Sequence, residues 1–457
     1  MSRGSVMVIG GGLAGISAAL DCARGGAEVT LVEARGRLGG AAYSFTRGAL
    51  TVDNGQHVFL RCCTAYRELL EQLDAAELVT LQPLAVPVLA PGGPVGWLRR
   101  TNLPAPLHLA GSLLRYPHLS LRERLAVAWA MQRLRAVDVD DRANDGIAFG
   151  AWLRRHRQSS RAIEAMWELI VRATVNLSVE EASLAQAAQV FQIGLLQEAA
   201  AGDIGWAAVP LGEIHDRAAG HALAAAGVTV RLRSTARAVI PEAGPDGDRF
   251  HVRTSDGLDA QVDAVVIALP PARALALAPP QAGLDGELAA RLGTSPIINL
   301  HVVYDRRVLA HPFAAGVGSP VQWVFDRTAG SGCAEGQYLA VSLSAADAEL
   351  HASAEALRAR YTPALADLIP AARSASVREF FVTREHAATF RAAPGARAWR
   401  PPASTRLRGL VLAGSWTDTG WPATMEGAVR SGRDAARTVM AFLAAPSQVS
   451  ASAPIGV

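Results

Sequence analysis

Val6-Met7-Val8-Ile9-Gly10-Gly11-Gly12-Leu13-Ala14-Gly15-Ile16-Ser17-Ala18-Ala19-Leu20 opens the chain's first regular stretch. Four apolar residues, a glycine cluster and a run of small and aliphatic residues read as strand, tight turn and helix. Gly10 permits the turn, Gly12 lets the backbone approach a pyrophosphate, and Gly15 allows helix to pack closely on strand. Leu13 and Ala14 then start a helix whose N-terminus faces the phosphates. A second strand, Val29-Thr30-Leu31-Val32, ends in Glu33, where a carboxylate accepts from ribose hydroxyls. The fold class that follows is α/β, with a parallel sheet that binds a dinucleotide.

The rest of the composition narrows the chemistry. The chain has 457 residues, half of them apolar, and 19% charged, which suits two or three folding units with deep nonpolar interiors. It contains no lysine, so its basic side chains are all arginine, and both a P-loop and a Schiff base to a carbonyl are excluded. Net charge is +3 with no run of like charges, so nucleic acid is not an expected partner. The four cysteines, Cys22, Cys62, Cys63 and Cys333, have no CxxC spacing, which points to buried thiols in a reducing compartment. Residues Val6 to Ala23 are apolar enough to suggest a membrane span, but glycines and a turn interrupt them. Without a basic leader and cleavage site, the expected location is cytoplasmic.

The residues after Glu33 separate one dinucleotide from another. Ala34-Arg35-Gly36-Arg37-Leu38-Gly39-Gly40 resembles the ExxxRxGG extension of the glutathione-reductase-like FAD superfamily, in its amine oxidase and phytoene desaturase branch. The resemblance implies a discontinuous Rossmann FAD-binding domain, with Arg37, Gly39 and Gly40 near the diphosphate and Ala34 and Arg35 also among the cofactor contacts. Ala41 stands where the branch usually has a basic residue. Near the C-terminus, Gly409 to Thr417 reads as strand and loop, followed by a helix start at Thr424-Met425-Glu426. In the resembling family that helix directs its N-terminus at the flavin pyrimidine edge, where reduction places negative charge. Gly414, Ser415, Thr424, Met425 and Glu426 are therefore expected FAD contacts, although the family carries Asp or Glu where this chain has Ser415. Ala236 is expected where a backbone pair meets adenine. No second glycine fingerprint is present, so electrons must come from an external donor.

Asp53-Asn54-Gly55-Gln56-His57-Val58-Phe59-Leu60 and the segment from Ser415 to Gly432 resemble the hydroxysqualene dehydroxylase family, as do Trp167 to Ile170 and Gly202-Asp203-Ile204-Gly205-Trp206. The resemblance runs over nearly the whole chain. It implies FAD-dependent reductive removal of an allylic hydroxyl from hydroxysqualene, a long polyisoprenoid, with Gln56 and His57 near the flavin. The FAD-binding domain is expected to comprise residues 1–65, 208–290 and 395–444. An inserted, mainly helical plus sheet substrate domain takes 66–207 and 291–394, and 445–457 forms a disordered tail.

A leaving hydroxyl needs a proton and a transient allylic cation needs aromatic faces. Asp203, Glu168 and His57 are the candidate acids, on the expectation that burial keeps a carboxyl protonated. Asp203 could equally cap a turn, and His57 could simply pack. Trp206 and Trp421 are candidate aromatic walls. Helices are expected over Leu153 to Leu169 and Ser183 to Gln197, as core or as the wall of a lipid tunnel. Leu84 to Tyr116 mixes leucines with Trp97, Arg99, Arg100 and Arg115, and reads as an interfacial anchor, giving peripheral membrane contact, or as a lid. A phytoene-type desaturase and a degenerate flavoprotein that only binds polyisoprenoids are the alternatives.

Overall fold

The structure is a computed structural model and describes residues 4–242 and 249–445. Its central element is a five-stranded sheet in the order Thr229–Leu232, Glu28–Glu33, Ser5–Ile9, Ala264–Ile267, Leu410–Leu412, parallel throughout. The inner strands are continuous apolar runs because helices cover both faces of such a sheet. Val6 to Ile9 and all of Ala264–Ile267 are buried.

Strand Ser5–Ile9 is followed by helix Leu13–Arg24, and the connection returns on one side of the sheet. Ala264–Ile267 lies on its other side. The C-terminal ends of these two strands form the switch point at which doubly wound sheets hold ligands. Helix Leu13–Arg24 packs against the C-terminal helix Met425–Ala444. Small residues permit that approach, since a Cβ on Gly432 would stand 2.2 Å from the carbonyl oxygen of Ala14.

A second sheet has seven strands in the order Val377–Thr389, Ser295–Tyr304, Gln337–Ser344, Trp323–Asp326, Phe313–Gly316, Ala85–Leu89, Gly96–Arg99. Its pairs are antiparallel apart from Phe313–Gly316 with Ala85–Leu89. Between the two sheets, a small antiparallel sheet joins Val58–Leu60 and Val79–Gln82 to Ile204–Ala207. This bridge carries His57 at one end and Asp203 at the other.

The helices differ from their sequence reading. The helix expected over Leu153 to Leu169 is split: Phe149–Arg155 ends, Arg157 takes φ +58°, and Ser159 caps a new start with its hydroxyl accepting from the Ala162 N–H. The chain then stays helical to Val175, through a π-turn at Ile163–Trp167. A polar Arg-Gln-Ser-Ser stretch supplies the break, since Ser prefers a cap to a helix interior. The segment from Ser183 is helical as expected, as Leu184–Phe191 with a π-turn at Gln192–Leu196. All four cysteines are free, but only Cys22 is buried, with its thiol pushed up to about 12 by burial. Apart from Ala445, the tail expected at 445–457 lies outside the described residues.

Candidate active site

The glycine turn closes on the switch point. Gly10 has φ +112°, and a Cβ there would lie 2.4 Å from the Ala268 carbonyl oxygen, so no other residue fits. Gly15 is held more tightly still, its imagined Cβ 1.8 Å from the Gly10 oxygen. Gly12 differs: a Cβ there would meet only the Gly40 Cα, at 3.7 Å. Its open side is the approach for a ligand. Helix Leu13–Arg24 has Gly12 as N-cap with no side chain closing it, so its first N–H groups remain free for phosphate oxygens.

The residues expected around a dinucleotide gather here. Glu33 accepts from the Gly11 N–H at 2.7 Å through one oxygen and from the Arg35 N–H at 2.7 Å through the other. Each oxygen keeps a lone pair for a ribose hydroxyl. Gly39 bridges to Gly12, bringing the second glycine pair against the first. Arg37 lies 3.5 Å over the Tyr43 ring and donates through Nη1 to the Leu38 and Gly40 carbonyls, while its Nη2 is buried without a partner. Burial, with Arg35 nearby, holds its pKa below the ordinary value. An anionic group at this spot would relieve both costs. Ala34 and Arg35 are exposed beside Glu33. Ala236 begins strand Ala236–Glu242, and a bulge between Ala236 and Ala238 takes Arg237 out of the ladder, leaving backbone groups for a base edge.

The C-terminal half of the site contains one correction. Thr424 caps helix Met425–Ala444, its hydroxyl accepting from the Gly427 N–H, so Thr424 and Met425 sit at a helix N-terminus as expected. The side chain of Glu426 turns away. Its carboxylate accepts from the Ala65 and Tyr66 N–H groups at 3.1 and 2.7 Å, and from Arg430 Nε at 2.6 Å. Glu426 thus caps helix Thr64–Gln72 from across the chain, and only its backbone belongs to the cofactor side. Gly414 has φ +146° and donates to Ser431 Oγ at 2.8 Å. The Ser415 carbonyl accepts from Arg400 Nη2 at 3.2 Å. Arg400, missed from sequence, is buried among the carbonyls of Ser415 and Thr417 with Nη1 unpartnered, and burial lowers it to about 10.

The candidate acids separate. Asp203 is fully buried, yet Arg100 Nε donates to it at 2.5 Å, Arg61 Nε at 2.9 Å and the Leu84 N–H at 3.1 Å. Burial alone would raise its pKa; these donors outweigh burial and hold it below the usual carboxylate range. Asp203 is therefore an ionised bracket, not a protonated acid. Glu168 pairs with Arg172 one turn along its helix and accepts from the Val179 N–H at 2.8 Å, fastening helix to loop. Neither lines the pocket described next.

That pocket is walled by Gln56, His57, Trp206, Phe313, Phe325 and Arg327. Trp206 and Phe313 meet edge to face at 5.4 Å, and Phe325 lies 6.1 Å from Phe313. His57 Nδ1 sits 3.1 Å from the Gly55 carbonyl, and burial lowers its pKa against that contact. Gln56 Nε2 is buried without a partner. Beneath them Arg327 Nη2 donates to Asp53 at 2.7 Å. Asp53 stood in a quoted motif, but Arg327, Phe313 and Phe325 gave no sequence signal, being brought in by the second sheet. Trp421 is elsewhere, under the Arg430 guanidinium at 4.7 Å.

A glycine turn, a ribose acid and an open helix N-terminus at a switch point, together with a second helix start capped by Thr424, define an FAD-dependent oxidoreductase. The family comparison agrees. The chain belongs to the flavin containing amine oxidoreductase family, whose model matches residues 13–440, and within it to the hydroxysqualene dehydroxylase group. The hydroxysqualene dehydroxylase of Rhodopseudomonas palustris is 30% identical over 96% of this chain and 98% of its own length. That of Sinorhizobium fredii is 29% identical over 94% and 97%. A putrescine oxidase structure, 18% identical, superposes with a TM-score of 0.70 over 96% of this chain and 99% of its own, and shows the fold.

Proposed function

We propose that the protein reductively dehydroxylates hydroxysqualene, a long polyisoprenoid alcohol, to squalene. The observation that carries this reading is the aromatic pocket with a histidine on its wall. When bound, reduced FAD supplies the hydride. The substrate C–O bond breaks, the oxygen leaves as water after gaining a proton, and a C–H bond forms at the same carbon. The rings of Trp206, Phe313 and Phe325, which line the pocket, stabilise the allylic cation in this reading. His57 is the proton donor in this reading, because it is the one candidate acid on the pocket wall. With its pKa lowered, its protonated form is a stronger acid than ordinary imidazolium. Gln56 Nε2 is available to hold the hydroxyl oxygen.

The domain division belongs to the same proposal. Every strand of the parallel sheet falls in residues 1–65, 208–290 or 395–444, and every strand of the seven-stranded sheet in 66–207 or 291–394. The small bridging sheet, which draws from both sets, carries the pocket.

The test is anaerobic. The purified protein is photoreduced, mixed with hydroxysqualene, and followed by the return of the oxidised flavin band while the lipid is extracted. Reoxidation with squalene supports the reading, faster as pH falls through the His57 pKa and losing that dependence in His57→Gln. A persistently reduced flavin with untouched alcohol rejects it. Oxidised protein that instead takes hydride from a hydrocarbon would establish a desaturase, and protein that cannot be loaded with FAD a degenerate carrier.

A further inference from the structure

Ten large apolar side chains stand exposed among the described residues, and seven of them fall between Val95 and Trp129. They form one face. Helix Leu121–Leu134 buries Val127, Ala130 and Leu134 against the core, as an amphipathic helix should. On its opposite side, Leu121, Leu125 and Trp129, spaced by one turn each, are 61%, 59% and 50% exposed. This helix is apolar on two sides. Leu107 and Leu114, from the short helices just before it, are each 56% exposed, and Leu103 and Val95 complete the set.

The frame beneath is rigid. Arg124 donates to the carbonyls of Leu114 and Leu119, tying the short helix to the long one. Ser120 and Glu123 form a reciprocal cap at the long helix's start. Arg100 is clamped to the buried Asp203, which anchors the start of the segment to the bridging sheet. The apolar residues are thus held outward by packing and hydrogen bonds, with Trp129 beside the His156 ring at 5.4 Å.

Charge decides what covers them. Residues 84–137 contain seven arginines and one carboxylate, Glu123, whereas the whole chain is only +3. Arg99, Arg115, Arg122, Arg133 and Arg135 are exposed, and none makes an ion pair among the described residues. Pairing with a second copy through a two-fold axis would set these arginines against their own kind. An anionic lipid surface accepts both halves of the patch, acyl chains taking the leucines and phosphate oxygens the guanidinium groups. Among the described residues no helix is long and apolar enough to cross a membrane.

We propose that residues 95–135 dock the protein on bilayers containing anionic phospholipid, with Leu107, Leu114, Leu121, Leu125 and Trp129 entering the acyl region. The inference is independent of the reaction assigned above. Sedimentation of the FAD-loaded protein with vesicles tests it, using phosphatidylcholine alone and phosphatidylcholine with phosphatidylglycerol. Binding is expected to the anionic vesicles, to weaken with added salt, and to fall by about tenfold or more in Leu121→Glu/Leu125→Glu. Brominated lipid should quench part of the tryptophan emission, a part lost in Trp129→Phe, which keeps the test readable if the double variant loses its FAD. Wild-type protein remaining in the supernatant, or equal binding by the double variant, overturns the proposal. A dimer dispersed by Leu121→Glu/Leu125→Glu with no lipid binding overturns it in favour of a second copy.

Discussion

Replacing Asp203 by Asn separates the two roles that this residue could have played. The buried carboxylate accepts four hydrogen bonds, from Arg61, Arg100 and the Leu84 N–H, and the change turns one oxygen into an amide NH2 that faces guanidinium donors. Removing one partner of a fully buried ion pair costs about 3–5 kcal/mol. Here the Arg61 and Arg100 side chains are 38% and 17% exposed, so both recover water, and the loss shrinks to about 2–3 kcal/mol. With an unfolding entropy of about 1 kcal/mol/K for a chain of this size melting as one unit, the midpoint should drop by about 2–3 °C. The folded carboxyl lies below its unfolded pKa, so its contribution is intact above about pH 4 and lost only as pH falls through the folded value. The gap between wild type and variant should therefore be constant between pH 6 and 8. Single-turnover flavin reoxidation should change less than about threefold, since loss of a true general acid costs about 10²–10⁴-fold. A variant that melts with the wild type yet reoxidises more than about 100-fold slower would refute the bracket and restore Asp203 as the acid.

Other consequences follow from the same geometry. Gly15→Ala forces a methyl into the Gly10 carbonyl, and the protein should purify with little FAD, read from the ratio of flavin to protein absorbance. Glu426→Gln weakens the cap of helix Thr64–Gln72 and the Arg430 pair, and should cost about 2 kcal/mol in urea unfolding with the m-value unchanged. Burial lowers His215 and His301 to about 3 each, so the unfolded chain binds more protons between pH 6.5 and 3. Each should remove about 2 kcal/mol between pH 8 and pH 5, and His215→Asn should flatten the slope by that amount.

Legibility followed the range of the physics. The glycine turn, Glu33 and the capped C-terminal helix were readable because each obeys a local rule about φ, hydrogen-bond donors or periodicity. The break after Arg155 was passed over because apolar spacing continues on both sides of it, while the cap at Ser159 needs only one residue. Glu426 shows the other kind of miss: its position at a helix start was right, but the side chain found helix Thr64–Gln72, more than 350 residues away in sequence.

By itself the sequence determined the FAD half of the protein, because a strand, a glycine turn and a helix build a phosphate site from consecutive residues. It also removed every lysine-based chemistry. Only the tertiary structure decided which candidates share a pocket. Asp203 and His57 lie at opposite ends of one small sheet, so one meets two arginines and ionises while the other meets an aromatic wall. A carboxyl or imidazole takes its pKa from its neighbours, and those neighbours, Arg100 for one and Phe313 and Arg327 for the other, are assembled by strand pairing across hundreds of residues. The two-sided helix Leu121–Leu134 belongs to the same class of fact: its sequence carries both apolar stripes, but packing alone selects which one is left exposed.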